Sequence, residues 1–174
     1  SDDLLAPGAL QFVGSFFARN PTVDVVYGHR ILINEGGAEI GRWILPPHCR
    51  ETLRRIDYIP QETLFWRADL YHRVGGLDPS FTFAMDWDLI LRFLSAGAVF
   101  RRLPYFLACF RVHDLQKTSA LTESIGITEV NRLRRRELGE DQDAWGVAEY
   151  DNRVKNRAFV TELALKWGVR STFI

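Results

Sequence analysis

Only two cysteines, Cys49 and Cys109, occur in 174 residues, and neither belongs to a C-x-x-C pair. That spacing excludes a zinc ribbon or thioredoxin-type centre and makes a reduced, cytoplasmic setting the simplest expectation. Net charge is also missing, with 22 Lys+Arg set against 22 Asp+Glu. A generic nucleic-acid binder carries a basic surplus, so no nucleic-acid partner is expected, and any anionic ligand must be held by a local site. The apolar run around 99–112 is too short to cross a bilayer and is interrupted by Arg101, Arg102 and Pro104. Internal repeats, low-complexity tracts and a signal-peptide pattern at Ser1-Asp2-Asp3 are absent too.

What is present is core material: 47% hydrophobic residues and 13% aromatics, enough for one compact folded domain. Leu10, Phe12, Val13, Phe16 and Phe17 recur at helical spacing after Pro7, and Asn20-Pro21 closes that helix. The β-branched run 23–27 predicts a strand. Residues 31–33 and 39–43 predict a hairpin about Glu35-Gly36-Gly37. A short helix is expected after Pro46-Pro47 to about Ile56, a buried strand at 63–66, and a brief helix at 68–74 stopped by Gly75-Gly76. Residues 86–96 carry Leu89, Ile90, Phe93 and Leu94 on one face, the pattern of an amphipathic helix. Residues 99–112 read as extended, with Pro104 implying an edge or a bend. Beyond Ser119 two helical patterns dominate, about 120–138 and 148–167. The expected architecture is α/β, with a body over 1–118 and a helical C-terminal extension over 119–174.

Several residues could carry chemistry. Asp2 and Asp3 are adjacent carboxylates ahead of a helix, able to offer hard oxygen ligands to Mg²⁺ or Mn²⁺. They could equally complement the helix N-terminus, and spacing alone favours that use. Asp86 and Asp88 flank Trp87 where a loop enters a helix, a position suited to one capping carboxylate and one at a pocket mouth. His113 and Arg111 end the extended run, where imidazole can complete a metal site and guanidinium can bind phosphate. Gln61 and Glu62 could bond sugar hydroxyls or simply finish a loop. Trp43, Trp66 and Trp87 could stack on a sugar face, although buried core is the ordinary use of tryptophan.

Taken in order, these features resemble family-2 glycosyltransferases of the GT-A type. The chain opens on an S-D-D-x-x-x-P-x-A-L segment (Ser1 to Leu10) and continues with Asn20-Pro21, a VDVVYG strand ending at Gly28, and an N-x-x-G turn from Asn34 to Gly37. An I-x-Q-x-x-x-F-x-R segment follows at Ile59, Gln61, Phe65 and Arg67, then Gly75-Gly76-Leu77-Asp78, Asp86-Trp87-Asp88-Leu89 and Leu91-Arg92. An R-x-H signature falls on Arg111 and His113, with Thr118 and Ser119 beyond it. The likeness runs from residue 1 to about 119 and leaves the helical tail uncovered.

The resemblance implies a partial GT-A mixed sheet with flanking helices, the acceptor-side half of the fold. It implies an inverting, metal-assisted transfer of sugar from a nucleotide-diphosphate donor to a glycan or lipid-linked sugar acceptor. Asp86 corresponds to the catalytic base. Asp2, with Asp3, corresponds to the end of the D-x-D motif that holds Mg²⁺ or Mn²⁺, and His113 to a late ligand of metal or diphosphate. Gln61, Glu62, Trp87, Asp88 and Arg111 fall on the acceptor and donor side. Where many relatives have an acidic residue before the base, this chain has Met85. The nucleotide-reading half of the family pattern falls before Ser1, so the fragment alone is expected to be inactive and to expose a sheet edge through which copies could pair.

Two other readings follow from the same residues. One is a non-catalytic acceptor-binding or assembly module that keeps the fold. The other makes the tail the working part, pairing chains or lying on an anionic membrane through Arg132, Arg134, Arg135 and Arg136. A solvated helix face is the preferred reading there, because Glu137, Glu140, Asp141 and Asp143 follow directly.

Overall fold

A computed structural model describes residues 2–113 and 125–139. Its elements in chain order are β1 (Leu4–Leu5), α1 (Ala9–Arg19), β2 (Val25–Ile33), β3 (Glu39–Trp43), α2 (Arg50–Leu53), β4 (Leu64–Trp66), α3 (Ala68–Arg73), α4 (Met85–Ser95), β5 (Phe100–Arg111) and α5 (Ile127–Leu138). A single 3-10 turn, Gln61–Thr63, leads into β4. The strands form one mixed sheet in the order β1-β5-β2-β3, with β4 also paired to β2. The α/β expectation is met at that level. The expected helix at 148–167 lies outside the described residues, as do Thr118 and Ser119.

Alternation along β2 divides the interior into two layers. Val25 and Tyr27 enter a large core with Leu53, Leu70, Trp87, Ile90, Phe93 and Leu133, so α2 to α5 cover that face. Val26 belongs with Ala9, Val13, Leu103 and Leu107 in a smaller core beneath α1. The guanidinium of Arg67 pins the end of α1 to this frame. Its Nε donates to Val23 O at 2.8 Å, and its Nη2 donates to Phe17 O at 2.9 Å and Asn20 O at 3.1 Å.

The two short strands expected at 23–27 and 31–33 are one continuous strand, β2. Two polar residues interrupt the apolar pattern there, yet both find partners. His29 Nδ1 accepts the Leu45 N–H at 3.1 Å, and the Arg30 guanidinium lies 4.0 Å above Trp43 and 4.6 Å from Phe110. The expected hairpin is present. Asn34 closes its turn by accepting the Ala38 N–H on Oδ1 at 2.9 Å, with Gly37 at φ 85°. The helix expected to reach Ile56 is shorter, ending at Leu53.

Pro104 lies inside β5, at a bend of the strand that has no outer ladder partner there, in keeping with the expected edge or bend. The structure accommodates it in two ways. β1 pairs with β5 only at Ala108 and Cys109, which leaves the outer edge at residue 104 outside that ladder. On the inner edge, Tyr27 pairs with Arg102 and His29 with Phe106, so Gly28 alone faces the bulged residues 103–105. A Cβ on Gly28 would sit 2.5 Å from Leu107 Cγ and 2.6 Å from the Tyr105 carbonyl oxygen. Gly28→Ala should therefore destabilise the protein by at least about 2 kcal/mol in urea unfolding, since the Tyr105 carbonyl is backbone and cannot swing away even if Leu107 does.

His29 provides a pH signature. Burial first, then the charge of Arg102, lowers its pKa from 6.5 to about 4. The folded state thus binds this proton less readily than the unfolded chain. Its contribution to stability is complete above pH 6.5 and is lost as pH falls toward about 4. Between pH 7.5 and 5 the wild type should lose about 2 kcal/mol more than His29→Gln, measured by urea unfolding at each pH.

Candidate functional site

The start of β1 and the end of β5 bring the first group of expected residues together. His113 Nε2 lies 2.9 Å from Asp2 Oδ2, with the Asp2 side chain 51% exposed. Asp3 does not join them. Its Oδ1 accepts the Arg111 N–H at 3.0 Å. Arg111 is occupied by backbone, its Nε donating to Asp2 O at 3.1 Å and its Nη1 to Asn34 O at 3.0 Å and Glu35 O at 2.7 Å. Among the described residues no group of three or more His, Cys, Asp or Glu side chains is placed to hold a metal. A pair is still usable. Mg²⁺ and Mn²⁺ commonly take one or two protein ligands and fill the remaining positions with water and substrate phosphate. Asp2 and His113 fit that role together, whereas Asp3 does not share it.

A second group gathers around Arg30. Its Nη1 is 3.2 Å from Glu62 Oε1, and both side chains are largely buried. The guanidinium also feels Asp3 and Asp57, and Asp57 in turn feels Asp86. Three carboxylates, Asp3, Asp57 and Glu62, thus share the field of one arginine, and Asp86 adds its charge to that of Asp57. Asp57 keeps solvent-exposed surface, yet enough protein surrounds it to make loss of hydration the main influence on its carboxyl.

Burial, then repulsion from Asp86, holds Asp57 well above the usual carboxylate range. Burial likewise raises Asp86, against the opposing effect of the Trp87 N–H, which Asp86 Oδ1 accepts at 2.8 Å. Glu62 is raised by burial although Arg30 pulls the other way. Asp57 and Asp86 therefore form a pair whose protons are held jointly and closer to neutrality than those of free carboxyls.

The other expected residues have different places. Gln61 is exposed on the 3-10 turn beside Glu62. Trp87 and Asp88, expected on the acceptor side, are buried. Trp87 Nε1 donates to Leu53 O at 2.8 Å, fastening α4 to α2. Asp88 has no exposed surface. Its Oδ2 is 2.7 Å from Arg92 Nη2 and its Oδ1 is 2.5 Å from Arg136 Nη1. A residue two after Asp86 projects to another side of the helix, which turns Asp88 into the core. Neither Trp87 nor Asp88 offers surface to an acceptor.

The arginines of α5 lie on a largely exposed face, as expected, and three of them also reach neighbouring segments. Arg132 lies 4.4 Å over Phe81, Arg134 donates to Arg55 O at 3.2 Å, and Arg136 holds Asp88. Arg54 also reaches α5, donating to the Glu137 carbonyl. No described helix is long and apolar enough to cross a membrane, and both cysteines are free.

Sequence reading missed Arg30, Asp57 and Glu129. Arg30 and Asp57 carried one usable signal, as charged residues beside segments that otherwise read as buried. Glu129 had none, because its role depends on a loop 45 to 47 residues earlier in the chain.

The Asp57 carboxyl supplies a direct test. Its folded pKa is raised, so its contribution to stability is complete below the ordinary carboxylate range and is lost as pH rises through the folded value. Asp57→Asn never ionises. It should be more stable than wild type at pH 7, with the gain shrinking steadily toward pH 3 in chemical denaturation. A gain independent of pH would contradict the raised carboxyl. No protein-family model and no curated protein matches this chain, so its functional reading rests on the site's own geometry and on the ordered motifs.

Proposed function

We propose that the protein transfers a sugar from a nucleotide-diphosphate donor to a hydroxyl acceptor, a glycan or lipid-linked sugar, with inversion at the anomeric carbon. The observation that carries this reading is Asp86. It stands at the start of α4, partly open to solvent, with its carboxyl raised by burial and Asp57 beside it. A general base works best when its pKa approaches the working pH, and this environment moves an aspartate in that direction.

In the proposed step the acceptor hydroxyl gives its proton to the Asp86 carboxylate as its oxygen bonds to the anomeric carbon. The bond from that carbon to the donor's diphosphate oxygen breaks on the opposite side, and its electron pair leaves with the diphosphate. In this reading the exposed Gln61 bonds acceptor hydroxyls, with Glu62 beside it on the same turn. Arg30 keeps Glu62 in place and moderates the repulsion among the neighbouring carboxylates. Asp2 and His113 are the residues this chain offers a divalent cation, and Mg²⁺ or Mn²⁺ bound there would neutralise charge on the diphosphate.

Asp86→Asn should lower kcat by about 10²- to 10⁴-fold, the usual worth of a positioned general base, while leaving KM for the nucleotide sugar near wild type. The measurement is steady-state transfer by the full-length protein with Mn²⁺. The amide oxygen of asparagine can still accept the Trp87 N–H, so the helix start is preserved. Undiminished transfer would leave Asp86 as a helix cap and shift the balance to the non-catalytic acceptor-binding reading.

A further inference from the structure

The start of α4 has an unusual support. Its N-cap residue, Ala84, has no side chain able to cap, and the helix makes no side-chain cap bond at that position. The orphan N–H groups that precede and begin a helix need acceptors. Here they are supplied by another helix: Glu129 of α5 accepts the Thr82 N–H on Oε1 at 2.8 Å, and the Phe83 and Ala84 N–H groups on Oε2 at 2.8 and 2.9 Å. Glu129 is only 8% exposed. Burial alone would raise its carboxyl, but the bonds from Ala84, Thr82 and Phe83 outweigh that effect and hold it ionised below the ordinary range.

Two further features make this a grip on one particular residue. Arg136, two turns further along α5, holds Asp88 inside α4. Asp86 is thus bracketed, with Glu129 fixing residues 82–84 on one side and Arg136 fixing Asp88 on the other. The surfaces are also close-fitting, since a Cβ on Gly126 would lie 3.0 Å from the Phe83 ring.

We infer that Glu129 is the positioning residue for Asp86, setting the direction in which the base carboxylate stands among the neighbouring acids. The inference rests on the base reading of Asp86 proposed above. It gives α5 a task in the reaction, although α5 lies outside the segment that carries the glycosyltransferase resemblance. The titratable groups facing Asp86 are Asp57 directly and, through it, Glu62 and Arg30. Loosening residues 82–84 lets water reach Asp86 and brings its carboxyl back toward the ordinary range.

The test uses Glu129→Gln, in which one oxygen is replaced by an NH₂ group that cannot accept. Either the Thr82 bond or the Phe83 and Ala84 bonds must be lost. Amide exchange at the residues that lose their bond should rise by about tenfold or more, the usual consequence of removing a charge-assisted hydrogen bond. The Asp86 carboxyl, followed by NMR in the intact chain, should titrate at lower pH than in wild type. In the full-length protein kcat should fall by about tenfold or more with donor KM unchanged, as expected when a catalytic group is misplaced. Leu133→Ala is the control for simple loosening of α5, because Leu133 is fully buried and makes none of these bonds. It should lower stability yet leave the Asp86 titration in place. An unmoved Asp86 midpoint in Glu129→Gln, or an equal shift in Leu133→Ala, overturns the inference. That readout needs no turnover, so it fails separately from the base reading, which is decided by the kinetics of Asp86→Asn.

Discussion

Strand β2 has ladder partners along both edges, and the remaining architecture follows from that. β5 runs parallel along one side, while β4 and β3 divide the other between residues 25–27 and 30–33. Such a strand must satisfy its backbone while fitting neighbours that differ in direction. The difficulty is greatest at Gly28, opposite the Pro104 bulge, where no side chain fits. Beyond that point β2 carries Arg30 between two aromatic rings and sets it against Glu62. The sheet's central constraint and the origin of the candidate site are therefore parts of one strand.

Around Arg30 the protein gathers more negative charge than one guanidinium can balance. Such clusters are costly to fold, because buried carboxyls resist ionising near one another. The cost is informative, since perturbed carboxyls concentrate where chemistry is done. Asp88 is a useful contrast. It is the most buried acid of the α4 start, yet two arginines occupy its oxygens, which suits it to holding helices together. Two residues away, Asp86 has no arginine partner among the bonds that define the site and retains access to solvent. About half a turn of helix thus separates a carboxylate held by two arginines from one that keeps access to solvent.

Much of the fold was legible because apolar periodicity reports burial. The α1 and α4 patterns, the 31–43 hairpin and the extended 99–112 segment all fell close to where the elements lie. Polar residues inside an element were the main source of error. His29 and Arg30 break the apolar pattern of β2, and only Leu45, Trp43 and Phe110, brought from elsewhere, make them acceptable there. Pro104 suggested an edge or a bend because a proline cannot donate, and a bulge with no outer ladder partner met that expectation. The α5 arginines do lie on a largely exposed face, but their contacts with Phe81, Arg55 and Asp88 were not legible, because those partners belong to distant segments.

The sequence by itself determined the α/β class, the positions of most elements and the pair of acids at the start of α4, since these depend on local pattern and spacing. It also placed Asp2 and His113 at chain positions that strand pairing could unite. Tertiary structure alone decided which acid of the Asp86 and Asp88 pair faces solvent, that Asp3 parts from Asp2, and that Asp57 joins Asp86. It likewise decided that Glu129 secures the loop before the helix. The physical reason is common to all four: the direction of a carboxylate, its hydration and its partners are set by segments far away in the chain, about which local periodicity carries no information.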